Sequence, residues 1–521
     1  MTEIEETPGF PKLKKPVRSW SGVLVITVVM RPDKFSCPHN CYYCPNEPGQ
    51  PRSYVSTEPA VMRANENDFD AVKQFNSRLD CLKNNGHELD KIEIIVLGGT
   101  FSAYPKDYQE EFCRDLFYAA NTFQQPPIRG RKSIKEEQQI NETTRYRIIG
   151  ISLETRPDHI RKGEIKRLRK YGCTRVQLGI QHTDPEILKL VNRGHTIEQG
   201  VEAIKMLKNA GFKVDIHVMP DLPGTTPEKD RIMIEKVIIS PDYGPDYMKI
   251  YPCLDVNYTE IREWKKDGRW NPYAETDFDK LIDLVVFAKR ISKQWIRFNR
   301  IQRDFPPETD ARLGYASQTI KPNLRQFVKA EAAKRGIVCQ CIRCREVKKH
   351  RFQKPAYTTQ YYRASDGDEY FISANSVDDQ TLYGFIRLRL AEEAFIRELH
   401  VYGFVTVTGK KANKVQHQGI GKELLRRAEF ITRMKGYTVL KIISGVGVRE
   451  YYRRRGYQFV DDDGQYMVKE LDLNDILIVY IKWLFNHMLD RMLSFLKSLK
   501  ELLEKNQIQF IKIKSLTSSK L

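Results

Sequence analysis

The chain of 521 residues lacks long apolar runs and a secretory signal. Its longest apolar stretch, Ile476 to Leu489, is interrupted by Lys482, Asn486 and His487, and it is shorter than the roughly 20 residues that span a bilayer. The first ten residues are acidic and have no apolar core, unlike a signal peptide. We therefore expect a cytoplasmic protein without integral membrane insertion.

Cysteine is also scarce, with ten residues in the whole chain, which excludes a disulfide scaffold. Six of the ten form two tight clusters, Cys37, Cys41 and Cys44, and Cys339, Cys341 and Cys344. Clustered thiols in a chain without a secretory signal are typical of metal or iron–sulfur ligands.

The composition excludes a disordered or fibrous protein, because 41% of the residues are hydrophobic and 24 Phe, 26 Tyr and 5 Trp are present. No solenoid repeat is visible, and the length predicts about two to four domains. A formal net charge of +19 favours a polyanionic partner such as nucleic acid.

Short β-branched runs alternate with helical patterns between residues 20 and 255, which predicts repeated βα units and a parallel sheet. Six strands are predicted: Gly22–Met30, Ile92–Leu97, Ile148–Leu153, Arg175–Ile180, Lys213–Met219 and Tyr247–Tyr251. The polar stretch Asn121–Arg147 predicts an exposed insertion. We therefore expect an α/β fold, either doubly wound or a partial barrel.

Four regions follow from these patterns. They are a βα domain at 11–310, a basic connector at 311–356, a second α/β domain at 357–470 and a tail at 471–521. The tail repeats apolar residues at the spacing of one helix face, at Phe485, Met488, Met492, Phe495, Leu499 and Leu503. It can dock on the second domain, contact another copy or lie on a membrane surface.

Three cysteines lie within eight residues directly after the first predicted strand, in Cys37-Pro-His-Asn-Cys41-Tyr-Tyr-Cys44. Three thiolates can hold three irons of a [4Fe–4S] cluster and leave the fourth iron open. A zinc knuckle completed by His39 or a distant residue is the alternative.

Later strands also end in polar or glycine motifs, which parallel folds bring to one edge. These are Gly98-Gly99-Thr100, Glu154-Thr-Arg156-Pro-Asp158, Gln177-Leu-Gly179-Ile-Gln181 and Met219-Pro-Asp221-Leu-Pro. With the cysteine loop they resemble the radical S-adenosylmethionine (SAM) superfamily and its partial (βα)6 barrel. The resemblance implies a [4Fe–4S] cluster and SAM contacts from Gly98, Gly99, Thr100, Glu154, Gln177 and Met219. Any single strand-end residue can instead be a packed residue.

A glycine turn, Gln416-His-Gln-Gly419-Ile420-Gly421-Lys422, opens a helix whose apolar face carries Leu424, Leu425, Ala428 and Ile431. Such a turn presents backbone N–H groups to a pyrophosphate. With the preceding Glu398-Leu399-His400-Val401 and the following Tyr451-Tyr452, it resembles the GNAT acetyltransferases. The resemblance implies that these segments bind acetyl-CoA and that Tyr452 or Tyr451 stabilises or protonates the departing thiolate. Packing is the alternative role for two adjacent tyrosines.

The two motif sets together resemble the catalytic subunit of Elongator and its relatives, over residues 11 to 470. Among the residues that carry this likeness are Asn192-Arg-Gly-His-Thr, Lys249-Ile-Tyr-Pro, Arg397-Glu-Leu-His-Val-Tyr-Gly and Ser444-Gly-Val-Gly-Val-Arg. The resemblance implies carboxymethylation of the wobble uridine of transfer RNA at carbon 5, with acetyl-CoA as the carbon source. It also implies that Lys106 reaches coenzyme A, and it allows a homodimer or Elongator-like accessory subunits. A protein lysine acetyltransferase with a scaffold barrel and a degenerate transfer-RNA-binding subunit are the alternatives.

The connector resembles a zinc loop of some family members, with Cys339, Cys341 and Cys344 as ligands and the fourth ligand unassigned. A metal-free basic loop is the alternative. Residues 311 to 360 hold 12 Lys and Arg against 2 Asp and Glu. We therefore predict that Arg343, Arg345, Lys348 and Lys349 bind RNA.

This chain departs from the family pattern in two motifs. Asn46 and Glu47 stand where relatives usually have a glycine pair, and Gln177 stands where they usually have Glu. Because Gln177 can still accept a hydrogen bond, we expect altered SAM affinity rather than loss. The match begins almost at Met1, without the basic N-terminal segment that helps many relatives bind transfer RNA, so the resemblance does not establish the affinity for transfer RNA.

Overall fold

The computed structural model describes residues 21–32, 37–124, 129–303, 323–348, 352–403, 419–460 and 465–472, together with Met488 and Met492. The chain forms two compact units, one of residues 1–429 and 439–469 and the other of residues 430–438 and 470–521. Met488 and Met492 are helical and exposed, and the rest of the predicted apolar tail face lies outside the described residues. Within the described residues, no helix is both long enough and apolar enough to cross a membrane.

A seven-stranded parallel sheet forms the first half of the chain, with its strands in sequential order. The strands are β1 (Leu24–Val29), β2 (Lys91–Leu97), β3 (Arg147–Thr155), β4 (Cys173–Gln181), β5 (Lys213–Val218), β6 (Tyr247–Ile250) and β7 (Arg297–Arg300). Eight of the nine residues of β4 are buried, as expected for a sheet whose two faces are covered. The six predicted strands are confirmed with shifted ends, and the sheet continues into β7.

In the described part of the chain, eleven α-helices connect these strands. They are α1 (Pro59–Asn65), α2 (Ala71–Asn84), α3 (Lys106–Thr122), α4 (Ile134–Asn141), α5 (Lys162–Lys170), α6 (Pro185–Leu190), α7 (Ile197–Asn209), α8 (Pro227–Ile239), α9 (Glu260–Lys266), α10 (Tyr273–Thr276) and α11 (Phe278–Ile291). Capping boxes begin α4 at Ser133 and α7 at Thr196, where they satisfy the first free N–H groups of each helix.

The predicted exposed insertion is wrong for its second half. Within α4, the side chains of Glu137 and Asn141 are fully buried. Asn121 donates to Glu137 at 2.8 Å, and Asn141 donates to Asn121 at 2.9 Å. Polar residues that satisfy one another's hydrogen bonds can be buried, so polarity alone did not identify a surface loop here.

The connector joins the two sheets through α12 (Leu324–Lys334) and α13 (Ile342–Arg345). The backbone N–H of Ile342 donates to Ile296, just before β7, at 2.9 Å. The N–H of Val347 donates to Leu382, in the second sheet, at 3.1 Å. The cysteine-bearing loop is therefore hydrogen-bonded to both sheets.

The second sheet has six strands in the order β13-β12-β11-β10-β9-β8. Its strands are β8 (Ala356–Ala364), β9 (Gly367–Asn375), β10 (Leu382–Leu390), β11 (Ala394–Val401), β12 (Val439–Ile442) and β13 (Met467–Glu470), with helices α14 (Ile420–Met434) and α15 (Arg449–Arg453). Strand β11 pairs in parallel with β12 only at Ala394–Ile396. From Glu398 to Val401 it pairs with β10 and not with β12, which ends at Ile442. This end of β11, open on its β12 side, is called the splayed strand.

The apolar core of the parallel sheet, which with its helices forms the barrel, extends to the turn after β12. Ile443 and Val446, which follow β12, belong to the same buried cluster as the barrel strands. Gly445 between them lies so close to β3 that a Cβ atom there would overlap the carbonyl oxygen of Ile149. This close approach brings the splayed edge of the second sheet against the barrel.

Candidate active site

One cavity of about 490 Å³ is lined by both halves of the protein. From the barrel it takes the cysteine loop and strand-end residues, including Cys37, Cys41, Cys44, Glu154 and Gln177. From the second half it takes residues of the splayed strand, of the turn after β12 and of α15, including Glu398, His400, Ser444, Gly445 and Tyr452. Residues from both predicted sites therefore line the same space.

The cysteine loop is held by hydrogen bonds to its sulfur atoms. The Thr100 hydroxyl donates to Cys37 Sγ at 3.2 Å. Arg156 and Arg193 approach Cys41 Sγ with their Nη1 atoms at 3.4 and 3.6 Å. The hydrogen bond with Cys44, aided by the two guanidinium charges, lowers the pKa of Cys41 to about 4. Cys41 is therefore prepared to act as a thiolate ligand.

These residues fit an iron–sulfur cluster better than a single zinc ion. Among the described residues, two sets of side chains have all their ligand atoms within 4.8 Å of one another, and neither contains Cys37, Cys41 or Cys44. The sulfur atoms of these three cysteines are therefore not all within 4.8 Å of one another, as expected for ligands that bind different irons of one cluster. His39 instead belongs to a set with Asp158 and His159, and its Nε2 lies 3.4 Å from His159 Nε2. The zinc knuckle completed by His39 is therefore not supported.

Most of the predicted SAM residues line the cavity, namely Gly99, Thr100, Glu154, Gln177 and Met219. Gly98 is not among the described residues that line it. Gly99 has φ +81°, and a Cβ atom there would lie 2.5 Å from the carbonyl oxygen of Arg52. Because only glycine combines this conformation with this close approach, the backbone itself forms that part of the wall.

Glu154 and Gln177 each have a polar partner in the cavity wall. Tyr54 donates to Glu154, and His217 Nδ1 lies 3.8 Å from Glu154. Lys249 donates to Gln177. Burial, reinforced by the positive charge of Lys249, holds the pKa of His217 well below its usual value, so its ring stays neutral at physiological pH.

The splayed strand contributes three of its four predicted residues to the cavity, namely Glu398, Leu399 and His400. Val401, at the end of β11, is not among the described residues that line it. Glu398 accepts hydrogen bonds from Tyr247 of β6 and from Arg387 Nε at 2.9 Å. Burial alone would raise the pKa of Glu398, but Arg387 and Lys213 together lower it. Its carboxylate therefore stays ionised against the barrel.

The adjacent tyrosines have different surroundings. Tyr452 is buried and lines the cavity, and burial raises its pKa above the usual value. Its hydroxyl therefore keeps its proton at neutral pH. The Tyr451 hydroxyl is buried without a hydrogen-bond partner among the described residues, and Arg455 lies 3.5 Å from its ring centroid. Tyr451 is not among the described residues that line the cavity.

The remaining predicted acetyl-CoA residues lie outside the described lining of the cavity. Gly419 precedes α14 with φ +81°, and Ile420, Gly421 and Lys422 form its first turn. On that helix Leu424, Leu425 and Ala428 are buried, as predicted. Gln416 lies outside the described residues. Lys106 is exposed at the first position of α3.

The second cysteine cluster forms a compact set of thiols. The sulfur atoms of Cys339, Cys341 and Cys344 all lie within 4.8 Å of one another, the spacing of ligands to a single ion. Lys289 Nζ lies 3.6 Å from Cys344 Sγ. In the part of the chain that the structure describes, no fourth His, Cys, Asp or Glu joins this set.

The expectation that Arg345 faces RNA is wrong. Its side chain is buried and contacts Asp379 of the second sheet at 3.3 Å, so it is part of the contact between connector and sheet. Arg343 lines the cavity, and burial lowers its pKa to about 10. Lys348 is half-buried beside Cys344, and its Nζ donates to the Cys344 carbonyl at 3.5 Å. Lys349 lies outside the described residues.

Several cavity residues had not been predicted, notably Arg156, Arg193, His217 and Lys249. All four lie in or next to motifs that the sequence analysis singled out. His217 precedes Met219 by two residues, so alternation along β5 places both side chains on one face. This alternation was the sequence signal that could have identified His217 as a cavity residue.

Comparisons with known proteins agree with this geometry. The family described as "Radical SAM superfamily" matches residues 35–236, and the "Radical_SAM C-terminal domain" matches residues 245–334. A tRNA uridine(34) acetyltransferase of Methanocaldococcus infernus is 39% identical over 498 residues, 90% of this chain and 90% of that protein. Human Elongator complex protein 3 is 37% identical over 494 residues, 88% of this chain and 86% of that protein.

A solved structure shows the same similarity. Archaeal Methanocaldococcus infernus Elp3 with an N-terminal deletion (1–46) superposes with a TM-score of 0.72 at 36% identity. The superposition covers 87% of this chain and 100% of that chain.

Proposed function

Because the chain belongs to the radical SAM family that unites tRNA uridine(34) acetyltransferases with Elongator complex protein 3, we propose that it carboxymethylates transfer RNA at carbon 5 of the wobble uridine. In the proposed reaction the methyl carbon of acetyl-CoA would replace the hydrogen on carbon 5. One methyl hydrogen would go to the 5′-deoxyadenosyl radical, and the carbon 5 hydrogen would leave as a proton with return of one electron to the cofactor side. Hydrolysis of the thioester would then release coenzyme A and leave a carboxymethyl group. The observation that carries the proposal is the single cavity lined by Cys37, Cys41 and Cys44 on one side and by Glu398, His400 and Tyr452 on the other.

The barrel side of this cavity suits SAM. Cys37, Cys41 and Cys44 would hold a [4Fe–4S] cluster, while the Gly99 backbone and the polar groups of Glu154 and Gln177 would contact SAM. When bound, these cofactors supply a 5′-deoxyadenosyl radical. The residues of this chain would orient the cofactors and exclude water, since Cys41, Thr100, Arg156 and Arg193 are buried in the cavity wall.

The second-sheet side suits the thioester of acetyl-CoA. Glu398 and His400 lie where β11 extends beyond the end of β12 and line the cavity, and Tyr452 adds a protonated hydroxyl. In our proposal that hydroxyl would donate its proton to the departing thiolate sulfur. Arg343 and other arginines of the wall, such as Arg300, offer positive charge to the phosphates of an RNA substrate.

Anaerobic reconstitution tests the proposal. The full chain is loaded with iron and sulfide and mixed with SAM, acetyl-CoA, a reductant and transfer RNA. We expect 5′-deoxyadenosine and a carboxymethylated uridine, mapped to position 34 by nuclease digestion and mass spectrometry. A transfer RNA with cytidine at position 34 is the matched control and should remain unmodified.

The Cys41→Ala variant separates the alternatives, because it should abolish both products. If SAM and acetyl-CoA bind to the wild-type chain and no modified nucleoside forms, the proposal is wrong. Acetyl transfer to a peptide lysine that survives Cys41→Ala would instead identify a protein acetyltransferase. Binding of transfer RNA without cleavage of SAM would identify a degenerate subunit.

A further inference from the structure

Two buried arginines converge on a single cysteine of the cluster loop. Nη1 of Arg156 lies 3.4 Å from Cys41 Sγ, and Nη1 of Arg193 lies 3.6 Å from the same atom. The two residues are 1% and 5% exposed. They come from different segments, since Arg156 follows β3 and Arg193 follows α6.

Both guanidinium groups are anchored independently of any cluster. Arg156 forms two hydrogen bonds with Asp158, Nε to Oδ1 at 3.0 Å and Nη2 to Oδ2 at 3.1 Å. Its Nη2 also donates to the Arg193 carbonyl at 2.6 Å. Arg193 Nη2 donates to the Gly179 carbonyl at 2.6 Å. The donors are therefore already oriented toward the sulfur.

The cysteine ligands have unequal surroundings. Cys37 accepts a hydrogen bond from the neutral hydroxyl of Thr100 at 3.2 Å, whereas Cys41 has two cationic donors. Hydrogen bonds to ligating sulfurs and nearby net charge set the reduction potentials of iron–sulfur clusters. A buried positive charge favours the reduced cluster, which carries one more electron, and the effect is stronger where water is excluded.

We propose that Arg156 and Arg193 raise the reduction potential of the cluster through their hydrogen bonds to Cys41, and that Asp158 limits this effect by partly neutralising Arg156. Both arginines are positioning residues, because they act through the cysteine ligand. The inference requires only that the chain binds the radical SAM cluster, so it does not depend on the RNA product.

The test is a potentiometric titration of the reconstituted full chain, with the reduced cluster measured by electron paramagnetic resonance. Arg156→Gln and Arg193→Gln should each shift the equilibrium toward the oxidised cluster by about tenfold, which for one electron corresponds to a potential lower by about 59 mV. Arg156→Lys retains the charge and should shift it less. Asp158→Asn should shift the potential in the opposite direction, upward.

Arg175→Gln is the matched control. Arg175 is also a buried arginine of the cavity wall, but it pairs with Glu93 at 2.9 Å, so its loss should leave the potential close to the wild-type value. Potentials that do not change in the Arg156 and Arg193 variants would overturn the proposal. An equal decrease in Arg175→Gln would also overturn it. If Arg156→Gln does not assemble the cluster, the other two variants test the proposal. The reduction potential should then fall in Arg193→Gln and rise in Asp158→Asn, and any other pair of signs would overturn it.

Discussion

Arg397 of β11 forms a bidentate ion pair with Asp246, immediately before β6, with Nη1–Oδ2 and Nη2–Oδ1 distances of 2.6 and 2.7 Å. Both side chains are fully buried. The same guanidinium contacts Glu369 of β9 at 2.8 Å. Because Asp246 belongs to the barrel and Arg397 to the second sheet, this pair helps to fix the two halves of the cavity relative to each other.

Asp246→Asn should strongly destabilise the protein. It would leave Arg397, Lys208 and Arg387 without this buried counter-charge, and breaking a buried pair typically costs about 3–5 kcal/mol. Urea unfolding should report this loss in the free energy of unfolding. Asp366→Asn, which removes an exposed partner of Lys205, is the control and should have little effect. Equal stability of the two variants would contradict the role assigned to Asp246.

The same pair predicts a direction for acid unfolding. Burial opposes ionisation of Asp246, but Arg397, Lys208 and Arg387 hold its pKa well below the usual value. The stabilisation is thus fully present above the unfolded pKa of about 3.9 and is lost as pH falls toward the folded pKa. Wild-type stability should therefore decrease below about pH 4, more steeply than that of Asp246→Asn, in unfolding curves measured at successive pH values.

Tyr452→Phe should impair turnover far more than Tyr451→Phe, because only Tyr452 is among the described residues that line the cavity. Loss of a positioned proton donor typically lowers kcat by about 10²–10⁴-fold. Since burial raises the pKa of Tyr452, the wild-type rate should show no decrease from tyrosine ionisation up to about pH 10. Rates of turnover measured across this pH range provide the check. Similar kcat values for Tyr452→Phe and Tyr451→Phe would contradict the assignment of Tyr452 as the proton donor.

Gly445→Ala should disturb the contact between the sheets. The added Cβ atom would overlap the Ile149 carbonyl of β3, and overpacking of a close contact costs about 1–3 kcal/mol. Gly163→Ala is the matched control, since nothing lies within 4 Å of its Cβ position in α5 and alanine favours a helix by about 0.5–1 kcal/mol. Thermal unfolding should therefore show opposite shifts of Tm in the two variants.

We propose that Cys339, Cys341 and Cys344 bind one zinc ion, so Cys344→Ser should lower the zinc content of the purified chain by about one ion. It should also reduce stability, because the loop that carries the thiols is hydrogen-bonded to both sheets. Cys81→Ser, which changes an exposed cysteine outside both clusters, should leave both quantities unchanged. Metal analysis combined with thermal unfolding provides the measurement. Unchanged zinc in Cys344→Ser would exclude this cysteine as a ligand.

Sequence patterns that extend over a few residues were sufficient to locate most strands of the parallel sheet. The β-branched runs located β1 to β6, because alternation and apolar clustering reflect burial within one short segment. Strand β7 was missed because its sequence, Arg-Phe-Asn-Arg, has one apolar residue and polar neighbours. Its strand conformation depends on pairing with β6, which a short polar segment does not reveal by itself.

The cysteine spacing and the motif order likewise indicated the cofactors and the family, since ligand sets and glycine turns act over a few residues. Only the tertiary structure decided which distant residues meet. Arg193 reaches Cys41 across 152 positions of sequence, and Arg345, which belongs to a basic segment, is buried against Asp379. The sequence gives the sign of the charge that a side chain carries. The orientation of that side chain and the residue it contacts depend on how the two sheets pack.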